Sequence, residues 1–283
     1  MIVTAKSDTW SYPYSPLQLG RLLKRYKRFM ADIELESGET ITAHCPNTGP
    51  MTGVCNLGSR VMVSKSDNPK RKLAYTWELI EVNDNGSTWV GVNTALPNQV
   101  MKSALLAHLI PELGQYDQVR AEVPYGKDRK SRIDFLLKSQ VKSQEIPSDR
   151  TSRSKHPAQG SLNLEDTVQS GKAAAQTDSR PIYVEVKNTT WVKDTTALFP
   201  DTVTTRGQKH LHELMAVVPD ARAVMVYFIN RGDCPRFSPG DEADPTYGEL
   251  LREAIAHGVE VLPCRFNVTP EGIHYLGLAE LVL

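Results

Sequence analysis

The sequence predicts a mixed β and α/β fold, with a small β-barrel over residues 1–93 and an α/β domain over residues 94–283. Three observations point there. Short alternating strands separated by turn residues fill the first third of the chain. After Pro97, strands and helices interleave, the pattern of a central sheet flanked by helices. A polar run at residues 138–180, with almost no large apolar periodicity, then interrupts the second domain.

In the first domain, residues 29–35 alternate, with Phe29, Ala31, Ile33 and Leu35 inward and Asp32 and Glu34 outward. Ser37-Gly38-Glu39 turns the chain into a strand at 40–44, and 60–65 and 73–82 are further strands. Asn83-Asp84-Asn85-Gly86 is a strong turn signal before a strand at 88–92. Five short strands in fewer than 100 residues fit a barrel of the OB type. An SH3-like barrel fits the strand count almost as well. In the second domain, helices are expected at 100–109, 205–218 and 247–257. The last has Asp244 as N-cap, Pro245 at its start and Gly258 as its stop. Strands are expected at 119–124, 131–137, 183–187, 221–229 and 259–263. Residues 138–180, rich in Ser, Gln, Lys, Asp and Thr, cannot bury enough surface to offset their ordering entropy. They read as a flexible insertion at a hairpin tip. Its basic residues either touch nucleic acid or belong to a solvated, inert loop, and the inert loop is the plainer reading.

Composition narrows the function classes. Hydrophobic residues make up 40% of the chain, enough for a packed core. Net charge is formally zero, which gives no support for a globally basic nucleic-acid binder but leaves a local patch open. The four cysteines, Cys45, Cys55, Cys234 and Cys264, form no C-x-x-C pair, so reduced thiols are expected and a zinc site is not. Met1-Ile2-Val3-Thr4-Ala5-Lys6-Ser7 lacks the apolar core of a signal peptide, and no run reaches the length of a membrane span. A soluble cytoplasmic protein without a membrane partner is expected. No Walker-type Gly loop, G-x-S-x-G elbow or H-E-x-x-H pair occurs. His210 and His212 are two apart on one helix and face different directions, which argues against joint metal binding.

Two stretches carry the candidate chemistry: Arg132-Ile133-Asp134-Phe135-Leu136-Leu137 and Tyr183-Val184-Glu185-Val186-Lys187. Read as strands, each places charged groups on one face and apolar groups on the other. Glu185 and Lys187 project together, Val184 and Val186 project oppositely, and Ile133 and Phe135 both point away from Asp134. On neighbouring strands about 4.8 Å apart, two carboxylates and an ammonium converge. Paired acids hold a divalent metal, here Mg²⁺ or Mn²⁺, and a nearby Lys orients or deprotonates water. The dull alternative is a solvated sheet face, but the surrounding residues are strongly apolar. The Asp…Glu-x-Lys pattern is that of the PD-(D/E)XK nuclease superfamily. It makes Asp134, Glu185 and Lys187 the candidate catalytic residues, with Asp134 and Glu185 as metal ligands. Glu122 is either a further acid or an ordinary exposed strand residue.

The expected helix at 205–218 carries an apolar stripe of Leu211, Leu214, Met215 and Val218. Gln208 extends it by one turn, either facing the site as a catalytic residue or hydrogen-bonding in the cap region. Arg206, Lys209 and Glu213 lie on the opposite side, and the polar helix start suits phosphate binding. Lys24-Arg25-Tyr26-Lys27-Arg28-Phe29 is the strongest nucleic-acid feature, combining cations for phosphates with aromatic stacking surface. A solvated strand entry is its bland counterpart. Arg71 and Lys72 extend the patch, while His44 and Asn47 on a Pro-Gly loop serve either turn chemistry or ligand contacts.

The chain resembles the sugar fermentation stimulation protein A family of bacteria and archaea. The resemblance covers nearly the whole length outside 138–180. It rests on Arg25-Tyr26-Lys27-Arg28-Phe29, His44-Cys45-Pro46-Asn47-Thr48-Gly49 with Met51, and Arg71-Lys72-Leu73. It continues through Tyr75-Thr76-Trp77-Glu78, Ser131-Arg132-Ile133-Asp134-Phe135 and Val184-Glu185-Val186-Lys187-Asn188. Phe199-Pro200-Asp201 and Arg206-Gly207-Gln208-Lys209-His210-Leu211 complete the set. The resemblance implies an N-terminal OB-fold, a PD-(D/E)XK nuclease-like α/β domain and non-specific DNA binding. It also implies a link to the regulation of sugar, notably maltose, utilisation. It makes Asp201, otherwise a turn cap, a possible additional acid of the site. Two functional readings stand together: a DNA-binding protein of low sequence specificity that keeps a nuclease-like metal site, and an active Mg²⁺- or Mn²⁺-dependent nuclease. DNA is the expected partner, with RNA as the alternative, and the oligomeric state is left open, a homodimer included.

Overall fold

The computed structural model describes residues 10–126, 131–139 and 178–283. The insertion expected at 138–180 falls almost wholly outside the described residues. The chain opens with six strands: β1 Leu17–Tyr26, β2 Met30–Leu35, β3 Thr40–His44, β4 Arg60–Lys65, β5 Tyr75–Val82 and β6 Thr88–Gly91. They pair in the order β3-β2-β1-β4-β5-β6, and a parallel β3–β5 contact closes the first five into a barrel. That closure is the OB arrangement, and it selects between the two barrels the strand count allowed. Leu22, Ala31, Ile33, Val61, Val63, Trp77 and Ile80 fill the barrel with no exposed surface.

Two features of the barrel depart from expectation. The ten-residue β1 was not foreseen, because Arg21, Leu23 and Lys24 are all exposed and blur its alternation. Its Gly20 is sterically required, since a Cβ there would lie 2.6 Å from Ile33 Cγ2 and 2.8 Å from the Glu34 carbonyl. Phe29 is not inward but 47% exposed, because the chain turns at Lys27 and Arg28, both in the left-handed region with φ of 49° and 65°. Ala31, Ile33 and Leu35 are buried as expected.

Helix α1, Leu96–Leu106, follows, entered through Pro97 in its first turn. The remaining elements are β7 Gln118–Tyr125, β8 Ser131–Lys138, β9 Ile182–Thr189, β10 Trp191–Lys193, β11 Thr196–Phe199 and helix α2 Thr205–Met215. After them come β12 Arg222–Ile229, β13 Arg236–Pro239, helix α3 Pro245–Ala256, β14 Glu260–Thr269, β15 Gly272–Leu278 and β16 Glu280–Leu281. A six-stranded sheet runs β15-β14-β12-β9-β8-β7, with β9, β12 and β14 parallel. A smaller sheet, β10-β11-β13-β16, was not anticipated, since its strands have only two to four residues. Seven successive residues of β12, from Ala223 to Ile229, are buried, because both faces of the central sheet are covered. Val184, Val226 and Phe228 pack toward α1, and Met225 and Tyr227 on the other face pack with Leu211 of α2 and Leu251 of α3.

The two domains are joined by specific bonds. Gly91 N–H donates to the Asn230 carbonyl at 3.0 Å, and Asn230 Nδ2 returns a bond to the Gly91 carbonyl at 3.1 Å. Beside them, the fully buried Arg231 pairs with Asp84 of the β5–β6 turn at 2.9 Å and with Asp233 at 2.7 Å. Helices α2 and α3 share one carboxylate. Asp244 accepts from the Tyr247 N–H at 3.1 Å, capping α3 as expected, and from the Thr204 N–H at 2.8 Å at the entry to α2. Asp244→Ala removes a buried cap and strands several donors. It should cost at least the ~2 kcal/mol upper range of an N-cap, and Asp244→Asn should cost less. Urea denaturation checks this, and a loss below about 0.5 kcal/mol for Ala would contradict the role.

Candidate active site

The site forms where the β8–β9 ladder stops. Phe135 pairs with Val184, so the next residues outward, Asp134 and Glu185, face each other without ladder bonds. Asp134 fills the opening. Its Oδ2 accepts the Val186 N–H at 2.7 Å, and its Oδ1 accepts from Asn98 Nδ2 of α1 at 2.7 Å. Ile133 and Phe135 do not share a face as expected: Ile133 enters the core beneath α2, and Phe135 the core beneath α1. Glu122 lies at the same break. It is left-handed, with φ of 53°, between the pairs Ala121–Phe135 and Val123–Ile133, and the alternation of β8 is lost there. Glu122 itself is exposed, and its carbonyl accepts from Arg132 Nη1 at 2.9 Å.

Glu185 is buried to 3% exposure. Its Oε1 accepts from Lys187 Nζ at 2.7 Å and from His210 Nδ1, and Lys187 Nζ lies 3.0 Å from the same His210 nitrogen. Its Oε2 is buried with no hydrogen-bond partner among the described residues. Burial opposes ionisation of Glu185, but the His210 hydrogen bond and the Lys187 charge outweigh it and hold the carboxyl below its usual range. Asp134 goes the other way: burial, then the charge of Glu185, push it up to about 6.

A buried carboxylate oxygen without a donor is costly unless a cation faces it. The orphaned Glu185 Oε2 beside Asp134 therefore fits a hard divalent ion. Among the described residues no group of three or more His, Cys, Asp or Glu is placed to hold a metal. The protein offers a carboxylate pair, which suits an ion that keeps waters or takes substrate oxygens.

His210 was missed by the sequence reading, which weighed it only together with His212. The buried face of α2 is Gly207, His210, Leu211 and Leu214, so its spacing from the leucines carried the signal. Gly207 lets α2 approach α3, since a Cβ there would lie 3.1 Å from the Tyr247 ring and 2.7 Å from Thr204 Cγ2. Gln208 does not reach the acids. Its Nε2 donates to both Asp244 oxygens at 3.0 Å, the cap-region alternative. Arg206 and Lys209 are exposed at the rim, with Arg206 Nε 3.4 Å from His210 Nε2 and Lys209 Nζ 2.9 Å from Ser131 Oγ. Glu213, expected outward, turns instead to Ser131 and Tyr125. Asp201 is not beside Asp134. It lines a cleft between barrel and sheet together with Asn47 and Asn188.

The basic residues of the barrel gather at one end. Tyr26 pairs with Met30, Met30 with His44, and His44 with Thr76, so the β1–β2 tip and the loop before β5 are neighbours. Lys27, Arg28 and Phe29 are exposed at that tip, Lys24 is exposed with Nζ 5.4 Å from the Tyr26 ring, and Lys72 is exposed in the loop. Tyr26 donates its hydroxyl to Asp32 at 3.0 Å, and Arg71 Nη2 donates to Thr76 Oγ1 at 3.0 Å. Arg25 is not a free cation. Its Nη2 donates to the carbonyls of Arg28, Asn47 and Gly49 at 3.0, 3.0 and 2.9 Å, holding the His44–Gly49 segment in shape.

Comparison with known proteins agrees with this architecture. Residues 23–92 match the model of the SfsA N-terminal OB domain, and residues 95–146 and 162–272 match that of the sugar fermentation stimulation protein RE domain. The sugar fermentation stimulation protein homolog of Trichormus variabilis is 61% identical over 274 residues, 97% of this chain and 99% of that protein. The homolog of Synechococcus elongatus is 60% identical over 272 residues, 96% and 98% of the two chains. The solved structure of Pyrococcus furiosus SfsA in complex with Ca²⁺ superposes with a TM-score of 0.74 at 22% identity, covering 97% of this chain and 100% of that one.

The raised Asp134 carboxyl makes stability depend on pH. The folded chain holds this proton more tightly than the unfolded chain, so stability falls as pH rises from about 4 to about 6. At ~1.4 kcal/mol per pH unit the loss is about 3 kcal/mol. In a chelator, the stability of wild type relative to Asp134→Asn should fall by about 2–3 kcal/mol between about pH 4 and pH 7. A pH-independent difference between the two proteins would contradict the assignment.

Proposed function

The chain belongs to the sugar fermentation stimulation protein family, and we propose that it binds DNA with little sequence specificity and holds a divalent metal at Asp134 and Glu185. The observation that carries the proposal is the orphaned Glu185 Oε2 beside Asp134, buried against Lys187 and His210. The Ca²⁺ named with the Pyrococcus furiosus relative is a hard, oxygen-seeking ion of the class such a pair suits. Mg²⁺ or Mn²⁺ bound there supplies Lewis acidity toward a phosphate oxygen. The chain's own groups do the rest. Asp134 and Glu185 bring negative charge to a fixed point, and Asn98 and the Val186 N–H hold Asp134 in place. His210 fixes the orientation of Glu185. Lys187 has donors beyond the one on Glu185 Oε1, available to orient a water or offset charge on a phosphate.

The barrel end supports the DNA reading. Lys24, Lys27, Arg28 and Lys72 present cations around the exposed ring of Phe29, a combination that tracks phosphates and stacks bases. A second reading, turnover as a nuclease, is favoured by Lys187 standing at the acid pair, whereas DNA recognition alone has no use for it. The regulatory role in sugar utilisation implied by the family accords with either reading, since both place the protein on DNA.

Binding of a labelled oligonucleotide across a salt series tests the proposal. Affinity should fall with salt, and Lys24→Ala, Lys27→Ala and Arg28→Ala combined should flatten the log–log slope by about 2–3. Lys187→Ala should bind like wild type and lose any Mn²⁺-dependent cleavage. A salt slope unchanged in the triple variant would move the DNA surface elsewhere. Cleavage retained by Lys187→Ala would remove that residue from the chemistry.

A further inference from the structure

The cleft between the barrel and the sheet has a chemistry unlike that of the acidic site. It is a small recess of about 90 Å³, and its walls include Asn47 and Thr94 on the barrel side and Asn188, Trp191, Phe199 and Asp201 on the other. Among the described residues no Lys or Arg lines it, which does not suit a phosphate. Two aromatic rings, amides and one carboxylate complement a flat ring whose edge carries both donors and acceptors.

The polar groups are already sorted into donors and acceptors. Asn47 Oδ1 accepts from the Gly49 N–H at 2.9 Å, and Asn188 Oδ1 accepts from Asn230 Nδ2 at 3.0 Å. Their amide nitrogens are left as donors, and Asp201 contributes the acceptor. Asp201 sits in partial burial that raises its carboxyl. The rings are held in place. Phe199 packs on Tyr227 and Tyr247 with centroids 5.6 and 5.3 Å away. Gly240 makes room for Trp191, whose Cζ3 lies 2.9 Å from where a Cβ would stand. Arg231 Nη1 donates to the Thr190 carbonyl at 3.2 Å, so the bonds that join the domains also fix the cleft wall. Thr189, two residues past Lys187 in β9 and on the same face of that strand, also lines the cleft, which puts it at the shoulder of the acidic site.

We propose that this cleft receives one unpaired nucleobase of the strand whose phosphodiester lies at Asp134, Glu185 and Lys187. The proposal rests on the DNA reading and deepens it. A carboxylate facing amide donors pairs with a base edge that carries an amino group beside a carbonyl, as guanine and cytosine do. Thymine, with no amino group, is disfavoured. Specificity is then low overall but not zero, confined to one position.

The test uses the full-length protein and single strands of oligo-dT with one dG or dC placed at each position in turn. Wild type should prefer one placement of dG or dC over all-dT by about tenfold, and Asp201→Asn should bring that ratio close to one. Asn188→Ala, which removes a donor, should weaken the same preference. Titration with dGMP or dCMP should quench tryptophan fluorescence in wild type but not in Trp191→Phe. Strand binding with no positional preference, or a preference kept in both variants, overturns the cleft assignment while leaving DNA binding intact. Quenching by maltose but not by nucleotides also overturns it, in favour of a sugar pocket. If wild type binds no strand at all, the DNA reading falls and this proposal with it.

Discussion

One buried carboxylate sets the terms for this structure. Glu185 lies almost wholly out of water, and such a charge is tolerated only where neighbours satisfy it. Lys187 and His210 satisfy one oxygen, and no other described residue satisfies the second. Several features follow from that need. Strand β9 must be central, so that Lys187 on the same face reaches back to Glu185. Helix α2 must approach closely, which Gly207 permits, so that His210 meets the carboxylate. Removing either partner would leave a buried charge under-compensated, a loss on the order of 3–5 kcal/mol. The unpaired oxygen is the place where the fold gives up stability, and it is the atom that the proposed metal would meet.

The barrel is held to this centre rather than tethered beside it. Arg231 reaches from the end of β12 into the β5–β6 turn, with Asp84 and Asp233 on its guanidinium. Gly91 and Asn230 close the same seam through paired backbone and side-chain bonds. Arg25 then shapes the His44–Gly49 segment, which bridges from the basic barrel end toward the cleft. The cations of the barrel end, the cleft and the acid pair are therefore held in fixed relation. Preorganisation of this kind lowers the ordering cost of binding a flexible strand.

The sequence made the centre legible and its supports less so. Asp134, Glu185 and Lys187 stood out because charged residues interrupted apolar strands, and the structure does bring Asp134 opposite Glu185 with Lys187 alongside. The Asp244 cap was equally legible, because Pro245 and a helical stripe follow it. The β1 strand was hidden, since its exposed Leu23 and its Gly20 break the period of two. Phe29 was read as core because alternation cannot register two left-handed residues just before it. Arg25 counted as a free cation because composition does not reveal three carbonyls converging on one guanidinium. His210 was passed over because its partner is distant in sequence, on another element. The misses at Arg25 and His210 share one cause: each depends on a contact between elements, which local patterns do not encode.

The central claim is that Asp134 and Glu185 form one metal site completed by the orphaned oxygen. Isothermal calorimetry of Mn²⁺ binding to wild type, Asp134→Asn and Glu185→Gln addresses it most directly, with circular dichroism confirming that the variants are folded. The account predicts one weak Mn²⁺ site per chain in the wild type and none in either variant. Equal Mn²⁺ binding by all three proteins would contradict it.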